Sequence, residues 1–214
     1  MESKLFTPVT FGPLTLRNRT IRSAAFESMC PGNAPSDMLL DYHRSVAAGG
    51  IGMTTVAYAA VTQSGLSFDR QLWMRPEIIP GLRRLTDAIH AEGAAAGIQL
   101  GHCGNMSHKS ICGCMPVGAS SGFNLYSPTF VRGLRADELP EMARAYGRSV
   151  NLAREAGFDS VEIHAGHGYL ISQFLSPSTN HRKDEFGGSL QNRMRFMDMV
   201  MEEVMKAAGS DMAV

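Results

Sequence analysis

The fold turns on residues 41–59, DYHRSVAAGGIGMTTVAYA. The first half closes a helical stretch (36–50), which Ser36 or Asp37 would cap and Gly49-Gly50 would end. The second half, IGMTTVAYA (51–59), is an apolar run rich in β-branched residues and suits a strand buried on both faces. A helix feeding directly into such a strand is the repeating joint of a parallel sheet. The joint recurs outward from here. Residues 20–26 suit a first buried strand, 76–93 a helix with Leu82, Leu85 and Ile89 on one face, and 95–101 a third strand. Residues 136–157 suit a helix, 158–164 a fourth strand and 190–209 a long helix. TFGPLTL (10–16) suits a small hairpin turning at Gly12-Pro13, and 102–136 reads as a long functional loop. Four strand–helix units fit an open doubly wound sheet or half of a TIM (β/α)8 barrel. SDMAV (210–214) stands where a fifth strand should begin. The chain is therefore expected to be one α/β domain (1–214), the N-terminal part of a barrel interrupted after about four βα units.

The 214 residues carry 20 basic and 20 acidic side chains. That balance argues against a nucleic-acid surface, which needs charge imbalance. No apolar run reaches bilayer-spanning length, and MESKLFTPVT lacks the apolar stretch of a secretory signal. No membrane partner and a cytoplasmic location are the expectation. Cys30, Cys103, Cys112 and Cys114 then read as reduced thiols, because Cys112-x-Cys114 is too tight for a standard zinc spacing.

Ligands of such sheets collect at the C-terminal strand ends. Ser23 and Ala24 lie there after the first strand, Tyr58 after the second, Gln99 and His102 after the third, and His164 after the fourth. His167 and Tyr169 follow in EIHAGHGYLISQF (162–174). Three chemistries compete. A metal would take His164 and His167 with a third ligand such as His102 or Glu162. A nucleophile would need a Ser or Cys beside a base, and no Gly-x-Ser-x-Gly elbow is present. Oxygen recognition would use both imidazoles as donors to one carbonyl oxygen, with a protonated tyrosine to deliver a proton to carbon. That trio suits the reduction of an enone, with hydride from a cofactor. GGSL (187–190) opens a helix that Ser189 caps.

HAGHGYLISQFLSPSTNHRKDEFGGSLQNRMRF (164–196) resembles the signature segment of the old yellow enzyme family of NADH:flavin oxidoreductases. LFTPVTFGPLTLRNRTIRSA (5–24), AAGGIGMTTVAYAAVTQSG (47–65) and LTDAIHAEGAAAGIQLGHCG (85–104) resemble its opening, second strand and third strand. The resemblance implies an FMN-binding TIM barrel. NADH or NADPH would reduce the flavin, which would pass hydride to the β-carbon of an activated alkene. It implies that His164 and His167 hold the substrate oxygen and that Tyr169 protonates the α-carbon. It places Ser23, Ala24, Ala25 and Tyr58 beside FMN, Gln99 on its pyrimidine edge, and Phe26 and His102 near the substrate. Phe26 stands where many members have a Thr or Cys. Asn180, Arg182, Asp184 and Arg193 would pin the loop through buried ion pairs. The RSA wording with Glu27 is similar to the dienoyl-CoA-reductase-like branch. The expected partner is a small enone or enoyl compound, and open sheet edges would favour a homo-oligomer.

Overall fold

The computed structural model describes residues 3–214. Strands β1 (Val9–Phe11) and β2 (Leu14–Leu16) form the expected hairpin, with Gly12 at φ 54° in its turn. The central sheet is parallel, in the order β3 (Ile21–Arg22), β4 (Met53–Ala60), β5 (Ala95–Gly101) and β9 (Ser160–Ile163). Its crossovers contain α1 (Asp37–Ala48), α2 (Ile79–Ala91) and α4 (Leu139–Glu155). Between β5 and α4 lie α3 (Lys109–Cys112) and a small sheet of β6 (Val117–Gly118), β7 (Gly122–Asn124) and β8 (Thr129–Gly133). After β9 come α5 (Leu170–Leu175) and α6 (Leu190–Ala208).

The helix boundaries follow from their end chemistry. The Ser36 hydroxyl accepts from the Leu39 N–H at the start of α1, and Ser189 does the same for Asn192 in α6. α2 buries Leu82, Leu85 and Ile89, as the sequence periodicity requires. Every residue of β4 is buried, consistent with a central strand covered on both faces. On β5, Ala96, Ile98 and Leu100 are fully buried in the apolar core shared with the helices. Gly97 and Gln99 face the opposite, interior side, by the twofold alternation of a strand. A Cβ on Gly97 would sit 2.9 Å from the Ser160 hydroxyl and 3.2 Å from that of Thr55, so the strands close into a side-chain layer there. α4 and α6 pack closely where Gly147 meets the Glu203 carbonyl, which a Cβ would approach to 3.1 Å.

Two expectations are corrected. The first strand is not a buried run over 20–26: only Ile21–Arg22 pair with β4, and Ile21 is exposed. Residues 102–136 are not one loop but contain α3 and the three-stranded sheet. α5 lies between the fourth strand and the long helix, where the sequence reading assigns no element; its six residues are too few for helical periodicity to register. At the C-terminus, Ala213 bridges Ser160 in parallel, where a further strand was expected to begin. No helix among the described residues is long and apolar enough to cross a membrane.

Candidate active site

The site begins with an irregularity in β4. Val56 pairs with Ile98 but Ala59 pairs with Leu100, so Ala57 and Tyr58 together face Gln99 alone. This bulge takes the Ala57 N–H out of the ladder. The carboxylate of Glu27 accepts it, at 3.2 Å. Glu27 is itself held by Arg22 at 2.6 Å and approached by His43 at 3.3 Å. Arg22 also donates to the Thr55 carbonyl (2.7 Å) and to that of Ala25 (3.3 Å). The bend after β3 is thereby tied to β4. Ser23 and Ala25 are exposed along it and Ala24 is half-buried, a shelf of small side chains. Phe26 is also exposed and stacks on Phe68, with ring centroids 4.7 Å apart.

The bulge turns Tyr58 inward. Its hydroxyl donates to the Gly65 carbonyl, and its ring leaves no room for a side chain at Gly101, where a Cβ would lie 2.7 Å away. Burial raises its phenol well above the ordinary value. Tyr58 forms the back wall for His164 (5.7 Å between centroids) and Tyr169 (5.2 Å). On the same interior face, the Gln99 amide donates to Glu162, its registered partner on β9.

His164 follows β9, where its N–H continues the ladder to the Leu100 carbonyl at 2.9 Å. The Gly166 N–H donates to its Nδ1 at 3.2 Å. An acceptor Nδ1 places the proton on Nε2 of a neutral ring. That Nε2 lies 3.0 Å from His167 Nδ1, so His164 donates to His167, whose own Nε2–H points onward. Burial and then the neighbouring His167 lower the His164 pKa, with Glu162 opposing, so both causes favour the neutral form. Tyr169 sits 4.8 Å from His164 and 6.3 Å from His167, centroid to centroid. Burial raises its phenol and the Ser67 hydroxyl opposes the shift, which keeps it a proton donor at neutral pH. The three rings lie together at one strand end, and the two imidazoles bond each other rather than presenting two free donors.

The turn that sets this geometry is demanding. His167 has φ 53° and Gly168 φ 69°, both left-handed. Gln173, fully buried on α5, holds the turn from below. Its amide nitrogen reaches the carbonyls of Gly168 (2.6 Å) and Cys103 (3.1 Å) and Asn105 Oδ1 (2.9 Å). Gln173 and Glu27 were not singled out as site residues. Their signal, a polar side chain within an apolar run, was present only for Gln173. His102, expected near the substrate, directly follows β5. It is fully buried, with one ring nitrogen accepting from the Gly104 N–H (2.9 Å) and the other 3.1 Å from the Ser64 hydroxyl. Burial drops its pKa to about 3.

The loop beyond α5 is pinned, though largely by carbonyls rather than ion pairs. Asn180 donates to the carbonyls of Phe174 (2.7 Å) and Phe186 (2.8 Å), and Arg193 to that of Leu175 (2.7 Å). Arg182 bonds the Ala119 carbonyl at 3.0 Å and pairs with Asp184 at 2.5 Å, the one ion pair of the four residues. Over His167 opens a groove of about 520 Å³, lined by Asn105, Phe123, Tyr126 and Thr179 among others. Its wall is the β7–β8 hairpin. Among the described residues no group of three His, Cys, Asp or Glu side chains is placed to hold a metal ion.

The whole arrangement is similar to solved flavoenzymes. An old yellow enzyme homologue from Zymomonas mobilis superposes with a TM-score of 0.91 at 30% identity, over 99% of this chain and 62% of that one. Morphinone reductase in complex with tetrahydroNAD gives 0.91 at 28%, over 99% of this chain and 63% of that one. The fold class is therefore that of the FMN-linked TIM barrels, of which four βα units are present here. Residues 4–214 match the family model described as NADH:flavin oxidoreductase / NADH oxidase, and the chain belongs to that family. Among curated proteins, it is 43% identical to a 4,4'-dithiodibutanoate disulfide reductase of Rhodococcus erythropolis, over 98% of this chain and 52% of the relative. It is 37% identical to an NADPH dehydrogenase of Bacillus subtilis, over 95% of this chain and 60% of the relative. The chain thus spans about half the length of the curated relatives it matches.

Proposed function

We propose that this chain carries the substrate-activating part of an FMN-dependent NAD(P)H oxidoreductase that reduces the C=C bond of an α,β-unsaturated carbonyl. One observation carries the reading: two hydrogen-bonded imidazoles and a phenol meet at the mouth of the sheet, over one wall formed by Tyr58. The residues present also fit one face and one polar edge of a flat heterocycle. Ser23, Ala24 and Ala25 give a low shelf, and Gln99 offers an amide that can donate and accept at once. FMN, when bound, supplies the hydride, taken from NADH or NADPH.

The chain's own residues do the rest. A substrate carbonyl oxygen arriving over His167 accepts from its Nε2–H. A turn of the His167 ring releases the Nε2–H of His164 as a second donor to the same oxygen. The negative charge that grows there during reduction is stabilised by both donors. Tyr169 Oη then gives its proton to the α-carbon. The groove over His167 would take the remainder of the substrate. Reductase and dehydrogenase names among the relatives agree with this chemistry.

Tyr169→Phe tests the assignment. With FMN present, NADPH should still bleach the flavin at an unchanged rate, while transfer to cyclohexenone should slow by about 10²- to 10⁴-fold, the usual worth of a general acid. An unchanged rate of transfer would remove Tyr169 from the mechanism. A second reading, a non-catalytic half-barrel, is favoured by one feature. Beside β9, a groove of about 370 Å³ lined by Ile21, Met53, Ile163 and Met197 stays open.

A further inference from the structure

The reaction proposed above leaves one chemical pair unused. Cys112 ends α3, and Gly113 follows at φ 75°, its N–H bonded to the Lys109 carbonyl at 2.9 Å. That left-handed residue, which glycine adopts without strain, reverses the chain. Cys114 is thereby brought back over Cys112, with the two sulfurs 3.8 Å apart. Cys112 is buried and Cys114 exposed. A thiol that meets solvent and a second, sheltered thiol in van der Waals contact with it are the two parts of a dithiol exchange site. The other two cysteines, Cys30 and Cys103, are buried, and burial pushes both thiols up to about 12. They stay unreactive thiols in the folded chain.

We infer that Cys112-Gly113-Cys114 is a redox-active dithiol that a small organic disulfide oxidises. The Cys114 thiolate attacks one sulfur of the disulfide RSSR. A Cys114–SR bond forms and one RSH leaves. Cys112 then attacks Cys114 Sγ, forms the intramolecular disulfide and expels the second RSH. The chain loses two electrons and two protons, and the external disulfide gains them as two thiols. A groove of about 610 Å³ beside Cys114, lined by Thr62, Ser64, Met115, Arg132 and Arg135, gives the disulfide its approach. Arg132 there pairs with Glu138 at 2.7 Å, so no anionic substrate is selected. Burial and the Cys112 thiol hold the Cys114 pKa above its ordinary value, with Arg132 opposing, so exchange is slow at neutral pH and faster in mild alkali.

The test needs no flavin and is independent of the proposed reduction. The reduced chain is incubated with bis(2-hydroxyethyl) disulfide at mildly alkaline pH, alkylated after denaturation, and mapped by mass spectrometry. The expected result is loss of two hydrogens, a peptide joining Cys112 to Cys114, two released mercaptoethanols per chain, and alkylated Cys30 and Cys103. Cys112→Ser should stop at a mixed disulfide on Cys114, and Cys114→Ser should release no mercaptoethanol. Failure of Cys30 and Cys103 to react with alkylating agent before denaturation shows that each variant is folded. Alkylation of all four cysteines once the treated wild type is denatured, a stable mixed disulfide at Cys114, or a Cys103–Cys112 link would each overturn the assignment.

Discussion

Gln173 is the keystone of the turn that presents His167, and its removal should be costly in a calculable way. The side chain is 1% exposed and contacts the carbonyls of Gly168 and Cys103, the Asn105 side chain, and the Asn105 N–H, which donates to its Oε1 at 3.2 Å. Gln173→Leu keeps the volume but strands these groups. The fully buried Cys103 carbonyl would keep only its bond from the Met106 N–H (3.3 Å) and the Asn105 N–H would lose its Gln173 acceptor, together about 1–3 kcal/mol, and the partly buried bonds to Gly168 and the Asn105 side chain are worth about 1 kcal/mol more. A total near 3 kcal/mol lowers Tm by roughly 6–12 °C for a chain of this size. Gln173→Glu is isosteric but sets carboxylate oxygens against two carbonyls, so it should cost more than the leucine. The assay is thermal unfolding followed by circular dichroism, with urea titration for the free energy. A loss below about 0.5 kcal/mol for the leucine, the level of an ordinary surface change, would refute the idea that this amide holds the turn.

Two further outcomes follow from buried and partly buried charges. Glu27→Ala should destabilise by about 3–5 kcal/mol in urea unfolding, because it leaves Arg22 without its buried carboxylate and strips the Ala57 N–H of its acceptor. Glu27→Gln should cost less, since an amide oxygen can still accept from Ala57, and equal losses for the two variants would contradict the role given to the bulge. His90 donates to Asp159 at 2.8 Å, and that hydrogen bond raises its pKa above 6.5, against the opposing effect of burial. A raised folded value means the pairing stabilises fully below 6.5 and fades as pH rises through the folded pKa. Urea midpoints taken on the two sides of that window should differ in the wild type and converge in His90→Gln. A difference that survives the substitution would assign it to other groups.

The parts of the fold written in the sequence are those where local chemistry and burial agree. Strand β5 falls on 95–101 as read, because Ala96, Ile98 and Leu100 alternate with Gly97 and Gln99 between two clear boundaries. α1 and α6 start where Ser36 and Ser189 cap them. The first strand is shorter than its apolar look suggests, because past Arg22 the chain is joined to β4 through the Arg22 and Glu27 side chains instead of a backbone ladder. The β6–β8 sheet was hidden by strands of two to five residues, too short for period-two patterning to register. For the site, the cluster of His164, His167 and Tyr169 was legible from spacing at one strand end. That His164 spends its donor on His167 was not, because it depends on the Gly166 N–H reaching Nδ1. The burial of His102 was likewise set by Ser64 and Gly104, neighbours that spacing does not reveal.

Whether this chain serves flavin chemistry is read from the visible absorption spectrum of the purified chain titrated with FMN. The flavin band should be perturbed, saturate at one FMN per chain, bleach on addition of NADPH and return on addition of cyclohexenone. A flavin spectrum that stays that of free FMN throughout the titration would contradict that role, and would favour the non-catalytic half-barrel.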